Sequence, residues 1–250
     1  MLRIFIAFLF LVLPVQAEEI VADLSQARVS ITANFDGSEI LLFGAIRREA
    51  PIPSGDMGII VTVEGPKERL SVRRKDKRFG IWVNVDAVEV DAAPSFYAIA
   101  TTGPLDELLS GTEDLRHSIT IPRAIRAVGE SDVVDDVESF TEALIRIRKK
   151  NSLYQLLESQ VRFAEGTLFD ASFALPSNLT EGDYRTRIFL TRDGAIIDQF
   201  ETSIAVNKVG LERFIFNLAH ERPLIYGLLS LAIAIAAGWL ASAFFRYLRS

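Results

Sequence analysis

Residues that usually carry redox, metal or thiol chemistry are scarce in this chain. Its 250 residues contain no cysteine and only two histidines, two methionines and two tryptophans. Without cysteine there is no disulfide framework, thiol nucleophile, thiolate metal site or lipoprotein anchor. Two histidines and two methionines are too few for a soft copper or zinc carrier. The composition therefore predicts no cofactor and no bound metal.

An excess of positive charge is also missing. Lysine and arginine number 27 against 33 acidic residues, which gives a net charge of -6 and a pI near 5.1. This balance argues against nucleic acid as a partner. With 49% hydrophobic residues, the chain is too apolar to be disordered. Its length allows one large domain or two modest ones.

The first of two long apolar segments lies at the N-terminus. Arg3 precedes ten apolar residues, Ile4 to Leu13, and Val15 and Ala17 place small side chains before Glu18. Ten helical residues span only about 15 Å, half of a bilayer core. The pattern predicts a signal peptide over residues 1–17, cleaved after Ala17. An uncleaved anchor is the alternative.

The second apolar segment predicts a transmembrane helix. Residues 224–245 contain no charge in 22 positions, which is enough to cross the hydrocarbon core. A buried core helix of this length would show polar positions. Basic residues lie on both sides, so the loops do not set the orientation. The signal peptide does: it predicts an exported body and a cytoplasmic tail at 246–250.

The exported body reads as mainly β with a helical interruption. Strand patterns with turns about every ten residues run to residue 102, and strands return from 167 to 206 around a predicted hairpin turn at Asp193-Gly194. Between them a helical period begins at Asp135 and continues to Val161, with a break allowed near Asn151-Ser152. We predict an immunoglobulin-like β-sandwich with an α-helical insert. Two separate domains are the alternative.

The predicted organisation follows the chain in seven parts. Ahead of the span, Leu211, Phe214, Ile215 and Leu218 share one helical face, which fits either an interfacial helix or an extension of the span. The parts are a signal peptide (1–17), the first part of the sandwich (18–102), the helical insert (103–163), the second part of the sandwich (164–209), a juxtamembrane amphipathic segment (210–223), the transmembrane helix (224–245) and the tail (246–250).

Catalytic and metal-binding patterns are weak. His117 has Asp114 and Ser118 nearby in sequence, but a triad is assembled in space and not from adjacent residues. GxSxG, HExxH and Walker motifs are missing from the sequence. An acidic run lacks the EF-hand spacing, so a solvated loop and helix start explain it better than calcium. We expect no enzyme. The run comprises Glu130, Asp132, Asp135, Asp136 and Glu138.

Two groups of residues stand out as candidate interaction sites. One is a basic run that fits an anion or partner patch, or simply a charged hairpin tip. The other places small side chains at every fourth position of the span, as in closely packed membrane helices, although an alanine-rich segment can produce this by chance. The basic run is Lys67, Arg69, Arg73, Arg74, Lys75, Lys77 and Arg78, and the small-residue face is Ser230, Ala234, Gly238 and Ser242.

The overall layout resembles the alphaproteobacterial transmembrane family Alph_Pro_TM. Residues 178–206 and the span carry most of the likeness, together with the signal peptide and the cysteine-free body. The resemblance implies a single-pass bacterial inner-membrane protein with a periplasmic body. It also implies an accessory role beside permeases similar to sulfite exporters. It supplies no catalytic residues.

We therefore predict a membrane-anchored periplasmic interaction module that contacts membrane lipid and a permease-like integral membrane protein. The alternative is a periplasmic ligand- or anion-binding sensor that uses the basic run. A membrane-tethered hydrolase is a third hypothesis, with His117 as its best candidate residue. The oligomeric state, the strand order and the identity of a partner are left open by the sequence.

Overall fold

The computed structural model describes residues 18–31, 37–49, 51–127, 136–208, 215 and 218–248. The predicted signal peptide and most of the juxtamembrane segment lie outside the described residues. Within them the protein is mainly β, as predicted, and ends in one long apolar helix. The finer expectation of an immunoglobulin-like sandwich stays a prediction.

The strands and helices alternate in blocks along the chain. The first block is β1 (Glu19–Leu24), β2 (Arg28–Ile31), β3 (Ser38–Arg47), β4 (Met57–Glu64), β5 (Lys67–Arg78), β6 (Ile81–Pro94) and β7 (Tyr97–Thr101). The described helices α1 (Leu105–Leu108), α2 (Gly111–His117), α3 (Ile121–Ala124) and α4 (Val137–Lys150) follow. The last block is β8 (Tyr154–Leu157), β9 (Arg162–Ala164), β10 (Leu168–Leu175), β11 (Gly182–Arg192), β12 (Ala195–Lys208) and α5 (Pro223–Leu248).

The described strands form three sheets. A four-stranded antiparallel sheet has the order β1-β3-β10-β9, and a six-stranded sheet has the order β2-β12-β11-β4-β7-β8. The strands β5 and β6 form a separate two-stranded ribbon. Residues 18–29 and 37–206 belong to one compact unit, and α5 belongs to another.

The six-stranded sheet carries the most deeply buried core. Strand β4 is mostly apolar and buried along nearly its whole length, and Ile59, Ile60 and Val61 are at most 1% exposed. Such a pattern is typical of a strand covered on both faces. Helix α2 supplies part of the cover, because the His117 ring meets the Phe189 ring edge-on at 5.6 Å.

The four-stranded sheet is covered on one face. Along β3, Ile40 and Leu42 are buried, whereas the alternating Leu41 and Phe43 are 42% and 45% exposed. Because successive strand residues point to opposite faces, one face joins the core and the other is open. The strand is thus apolar on both sides.

The predicted helix is wrong beyond residue 150. Helix α4 ends at the allowed break, where Ser152 takes a left-handed φ of 57°. Tyr154–Leu157 then forms β8, which pairs in parallel with β7, and the Tyr154 hydroxyl donates to the Pro94 carbonyl at 2.8 Å. Apolar spacings of three and four suited a helix, but pairing with the free edge of β7 satisfies this short segment's backbone groups. The predicted insert at 103–163 therefore also contributes strands to both main sheets.

A buried carboxylate ties the start of the body to the six-stranded sheet. The Glu18 carboxylate accepts from Arg48 Nε at 2.5 Å and also from the Arg192 guanidinium. Its side chain is only 9% exposed. Burial alone raises the pKa of the Glu18 carboxyl, but hydrogen bonds and charge from the two arginines outweigh it and lower the pKa below its ordinary value. The ionised form is therefore the one that stabilises the fold.

Replacing Glu18 with glutamine should lower the free energy of unfolding at pH 7 by about 3 kcal/mol, because the guanidinium groups of Arg48 and Arg192, with side chains 8% and 18% exposed, lose their counter-charge. A lowered folded-state pKa gives stability that is fully present above the unfolded value of about 4.3 and is lost as the pH falls through the folded value. The difference in stability between the native chain and Glu18→Gln should therefore shrink as the pH falls below about 4.3 and vanish only below the folded-state pKa of Glu18. Unfolding of the detergent-solubilised chain across a pH series measures this.

Glu19→Gln is the matched control. Glu19 pairs with Arg47, but their side chains are 54% and 67% exposed, so the change should stay within about 0.5 kcal/mol. Equal losses in the two variants, or a Glu18→Gln difference that does not depend on pH, would contradict this account.

Candidate interaction surfaces

All seven residues of the predicted basic run lie on strand β5 of the ribbon. The ribbon closes through a two-residue turn, Phe79-Gly80, between the paired residues Arg78 and Ile81. Every residue from 73 to 82 is exposed. The alternation expected within the hairpin is present near its base, where Leu70 and Val72 are half-buried.

Several of these basic side chains have carboxylate partners within the chain. Lys67 lies 3.2 Å from the buried Glu64, Arg74 lies 3.7 Å from Asp86, and Arg78 lies 3.8 Å from Asp76. Twelve strand residues extend over roughly 36 Å, so a single small anion reaches only a few members of the run. The anion-sensor alternative stays a prediction.

The base of the ribbon is fixed to the body. Glu68 accepts from Arg148 at 3.2 Å and from the Thr180 hydroxyl at 2.9 Å. Further out, the Arg74 guanidinium lies 4.5 Å from the centre of the Phe140 ring on α4. The distal half of the ribbon therefore projects from a base that is fixed to the body.

Three apolar side chains cluster at the ribbon tip. Phe79 is 105% exposed, Ile81 64% and Trp82 68%. The strand patterns that run to residue 102 predict the β-structure here but not the exposed cluster. The available signal was the short Phe79-Gly80 connection between two strands, which places an aromatic residue at the end of a hairpin.

A second exposed apolar surface is the open face of the four-stranded sheet, formed by Val21, Leu41, Phe43 and Leu168. Their side chains are 42–60% exposed. The register places Val21 and Leu168 on either side of Ala45. They line a shallow groove of about 640 Å³. We call this surface the open face.

Polar groups border the open face. Asp170, opposite Phe43 in the register, accepts from Arg162 at 2.6 Å, and Glu39 pairs with the Ser172 hydroxyl. An apolar centre with a polar margin is the usual composition of a protein-binding patch. Sequence patterning did not predict this face, because both sides of β3 are apolar and only the fold decides which side is covered.

Helix α5 carries the small-residue face. Residues 223–242 are long and apolar enough to span a membrane. The four small residues recur every fourth position, so they occupy a sector of about 120°. A Cβ added to Gly238 would meet no atom within 4 Å, and the Ser230 hydroxyl donates to the Tyr226 carbonyl at 2.9 Å. The Ser230 hydroxyl is therefore satisfied within the helix, and the space beside Gly238 is open within the described residues.

His117 has structural contacts. Its Nε2 lies 3.4 Å from a Glu113 carboxylate oxygen, and its carbonyl accepts from Arg187 at 2.7 Å. Asp114 instead caps the following loop, where it accepts from the Ile119 and Thr120 amides and from the Thr120 hydroxyl. The two residues therefore serve different local structures, and the hydrolase hypothesis gains nothing from them.

A buried polar cluster holds the end of α2 and the loop that follows it against the six-stranded sheet. Arg187, 6% exposed, also donates to the Ser118 carbonyl at 3.3 Å. The Tyr97 hydroxyl donates to the Ile119 carbonyl at 2.7 Å, and burial raises the pKa of Tyr97 above its ordinary value. These contacts hold the neutral phenol and the charged guanidinium against loop carbonyls.

The acidic run is described only at its end. Asp136 caps α4 by accepting from the Ser139 amide at 3.1 Å, and hydrogen bonds from Ser139 lower the pKa of its carboxyl. Glu130, Asp132 and Asp135 lie outside the described residues. Over the described part of the chain, no three or more histidine, aspartate or glutamate residues are grouped as a metal site.

Enlarging the small-residue face should weaken helix association in a bilayer. Ala234→Leu with Gly238→Leu removes the close backbone approach that such faces allow, at a cost of about 1–2 kcal/mol. A two-helix association assay in vesicles measures the loss. Ala232→Leu with Ala236→Leu is the control on other sides of the helix, and an equal effect from both pairs would refute a specific packing face.

The chain matches the family model described as “Putative transmembrane protein (Alph_Pro_TM)” over residues 19–247. The match spans the β-rich body and nearly all of α5, and it confirms the resemblance drawn from the sequence. No functionally curated protein matches the chain. The chain therefore belongs to the Alph_Pro_TM family of transmembrane proteins.

Proposed function

We propose that this protein is a single-pass inner-membrane protein whose periplasmic β-domain is an interaction module for an integral membrane protein. The partner we favour is a permease-like protein, to which this chain would be an accessory subunit. The proposal assigns no catalytic step, cofactor or metal to the chain. Its orientation rests on the predicted signal peptide, which would export the body before the span stops transfer.

The observation that carries the proposal is the open face. Four large apolar side chains lie together on a sheet surface that the rest of the described body leaves uncovered. Contiguous exposed apolar patches on folded domains mark binding sites more often than chance. Full burial of such a side chain is worth about 1.5–3 kcal/mol, and these four are 42–60% exposed, so covering each of them is worth roughly half of that. Together they offer a partner several kcal/mol.

The membrane segment supports the same reading. The partner we favour is itself an integral membrane protein, so part of it would lie in the bilayer with α5. The small-residue face on α5 offers that protein a close helix contact. A partner with both membrane and periplasmic parts would engage the two surfaces together, and tethering would strengthen both contacts.

Mild-detergent purification of the full chain from native membranes tests the proposal. We expect one integral membrane protein to co-purify in near-stoichiometric amount. Leu41→Thr with Phe43→Thr keeps strand propensity but removes apolar area, and should reduce recovery of the partner at least about tenfold. Ala234→Leu with Gly238→Leu should reduce it as well.

Leu115→Thr is the control for the open-face variant. Leu115 is 62% exposed on α2, away from the four-stranded sheet, so its loss should leave recovery unchanged. Purification of the bait alone, or the same recovery from every variant, would overturn the proposal.

A further inference from the structure

Phe79, at the ribbon tip, departs from two preferences of folded proteins, one for its backbone conformation and one for the burial of its side chain. Phe79 and Gly80 have φ of 51° and 86°, the positive values of a type I′ turn, whose first position favours asparagine, aspartate or glycine. Phenylalanine is poorly suited to left-handed backbone. Phe79 is also completely exposed to water, at 105%. Features that violate folding preferences in this way concentrate at functional sites.

The charge around the tip differs sharply from that of the body. Residues 73–82 contain five basic side chains and one acidic one, a net charge of +4. Residues 18–220 as a whole contain 23 basic and 32 acidic side chains, a net charge of -9. The Lys75 and Lys77 side chains form no ion pair with the described residues. Positive charge is thus concentrated where apolar side chains are exposed.

The register interleaves the two kinds of side chain. Lys77 is directly opposite Trp82, and Arg78 is directly opposite Ile81. Tryptophan favours the headgroup level of a bilayer, where its ring is half in hydrocarbon and half in water. Lysine and arginine beside it attract anionic headgroups. This is the composition of a shallow membrane-binding element.

We propose that the ribbon tip inserts Phe79, Ile81 and Trp82 into the interface of an anionic lipid bilayer, with Lys75, Lys77 and Arg78 on the headgroups. The inference goes beyond the proposed function, since it needs only the membrane anchor and no protein partner. A membrane anchor keeps the chain at a bilayer, so a weak contact suffices.

The size of the tip favours lipid over protein. A stable protein interface uses about 20–30 residues on each side, whereas the tip offers three apolar side chains at the end of a narrow ribbon. A bilayer interface needs no matching partner surface. Its anionic headgroups complement the net charge of +4 carried by residues 73–82.

Tryptophan fluorescence tests this directly, because the chain contains only Trp82 and Trp239. Full-length protein with Trp239→Phe leaves Trp82 as the only reporter. We would reconstitute it in vesicles of phosphatidylcholine alone and in vesicles that also contain phosphatidylglycerol. With phosphatidylglycerol present, acyl-chain-brominated lipid should quench Trp82, and acrylamide quenching from water should fall several-fold.

Two variants separate binding from folding. Phe79→Asn supplies the residue that the turn prefers, so it should keep or strengthen the hairpin while restoring acrylamide access. Lys75→Gln and Lys77→Gln should each reduce the inserted-to-free ratio about fivefold. Leu115→Asn on α2, where the side chain is 62% exposed, and Lys150→Gln at the end of α4 are matched controls that should leave the quenching of Trp82 unchanged.

Each other outcome overturns the proposal. Trp82 that stays open to acrylamide and unquenched by brominated lipid excludes insertion. Equal quenching without phosphatidylglycerol removes the role of the basic residues. Protection that appears only in native membranes assigns the tip to a protein. This experiment needs only purified chain and lipid. A failure of membrane insertion is therefore distinguishable from a failure of the proposed function, which is a failure to recover a protein partner.

Discussion

The antiparallel pairing of β4 with β11 is the constraint on which the rest of the body depends. It joins residues 57–64 to residues 185–192 through eight consecutive register pairs. These strands are covered on both faces, and Ile188, Phe189 and Leu190 are fully buried. Closing so long a stretch of chain is entropically costly, and the buried apolar area must offset it. The chain between these two strands forms the ribbon, strands β7 to β10 and helices α1 to α4.

Both exposed candidate surfaces follow from that arrangement. The ribbon starts directly after β4, where the buried Glu64 accepts from Arg185 at 2.5 Å and from Lys67 at 3.2 Å. Its root is therefore part of the core, although its tip is solvent-exposed. The four-stranded sheet buries one face and leaves the other to solvent. A rigid scaffold that presents two different surfaces is what an interaction module needs.

Local signals were enough to predict some of these features. The Asp193-Gly194 hairpin turn is confirmed, with φ of 50° and 78°, because aspartate and glycine tolerate that backbone. The acidic start of α4 is confirmed in Asp136, which caps the helix. The long apolar run near the C-terminus is confirmed as a helix.

Other features depend on distant parts of the chain. Tyr154–Leu157 forms a strand and not a helix because it pairs with the free edge of β7. The local spacing of apolar residues does not reveal that edge. Whether Leu41 and Phe43 or Ile40 and Leu42 face the core depends on which side of the sheet is covered. The exposure of Phe79 requires knowing that its hairpin extends away from the body. These residues are therefore identified from the structure and not from pattern.

The central claim is that a body outside the cytoplasm is covered by a partner at its open face. Because the chain has no cysteine, a single introduced cysteine can be labelled selectively, which tests both the location of the body and the cover on its open face. Phe43→Cys and Leu115→Cys are labelled in cells with a membrane-impermeant maleimide that is admitted to the periplasm. The account predicts labelling of both, several-fold slower at position 43, and equal rates once the protein is unfolded in denaturant. Labelling of neither until the inner membrane is opened, or equal rates in cells, would contradict it.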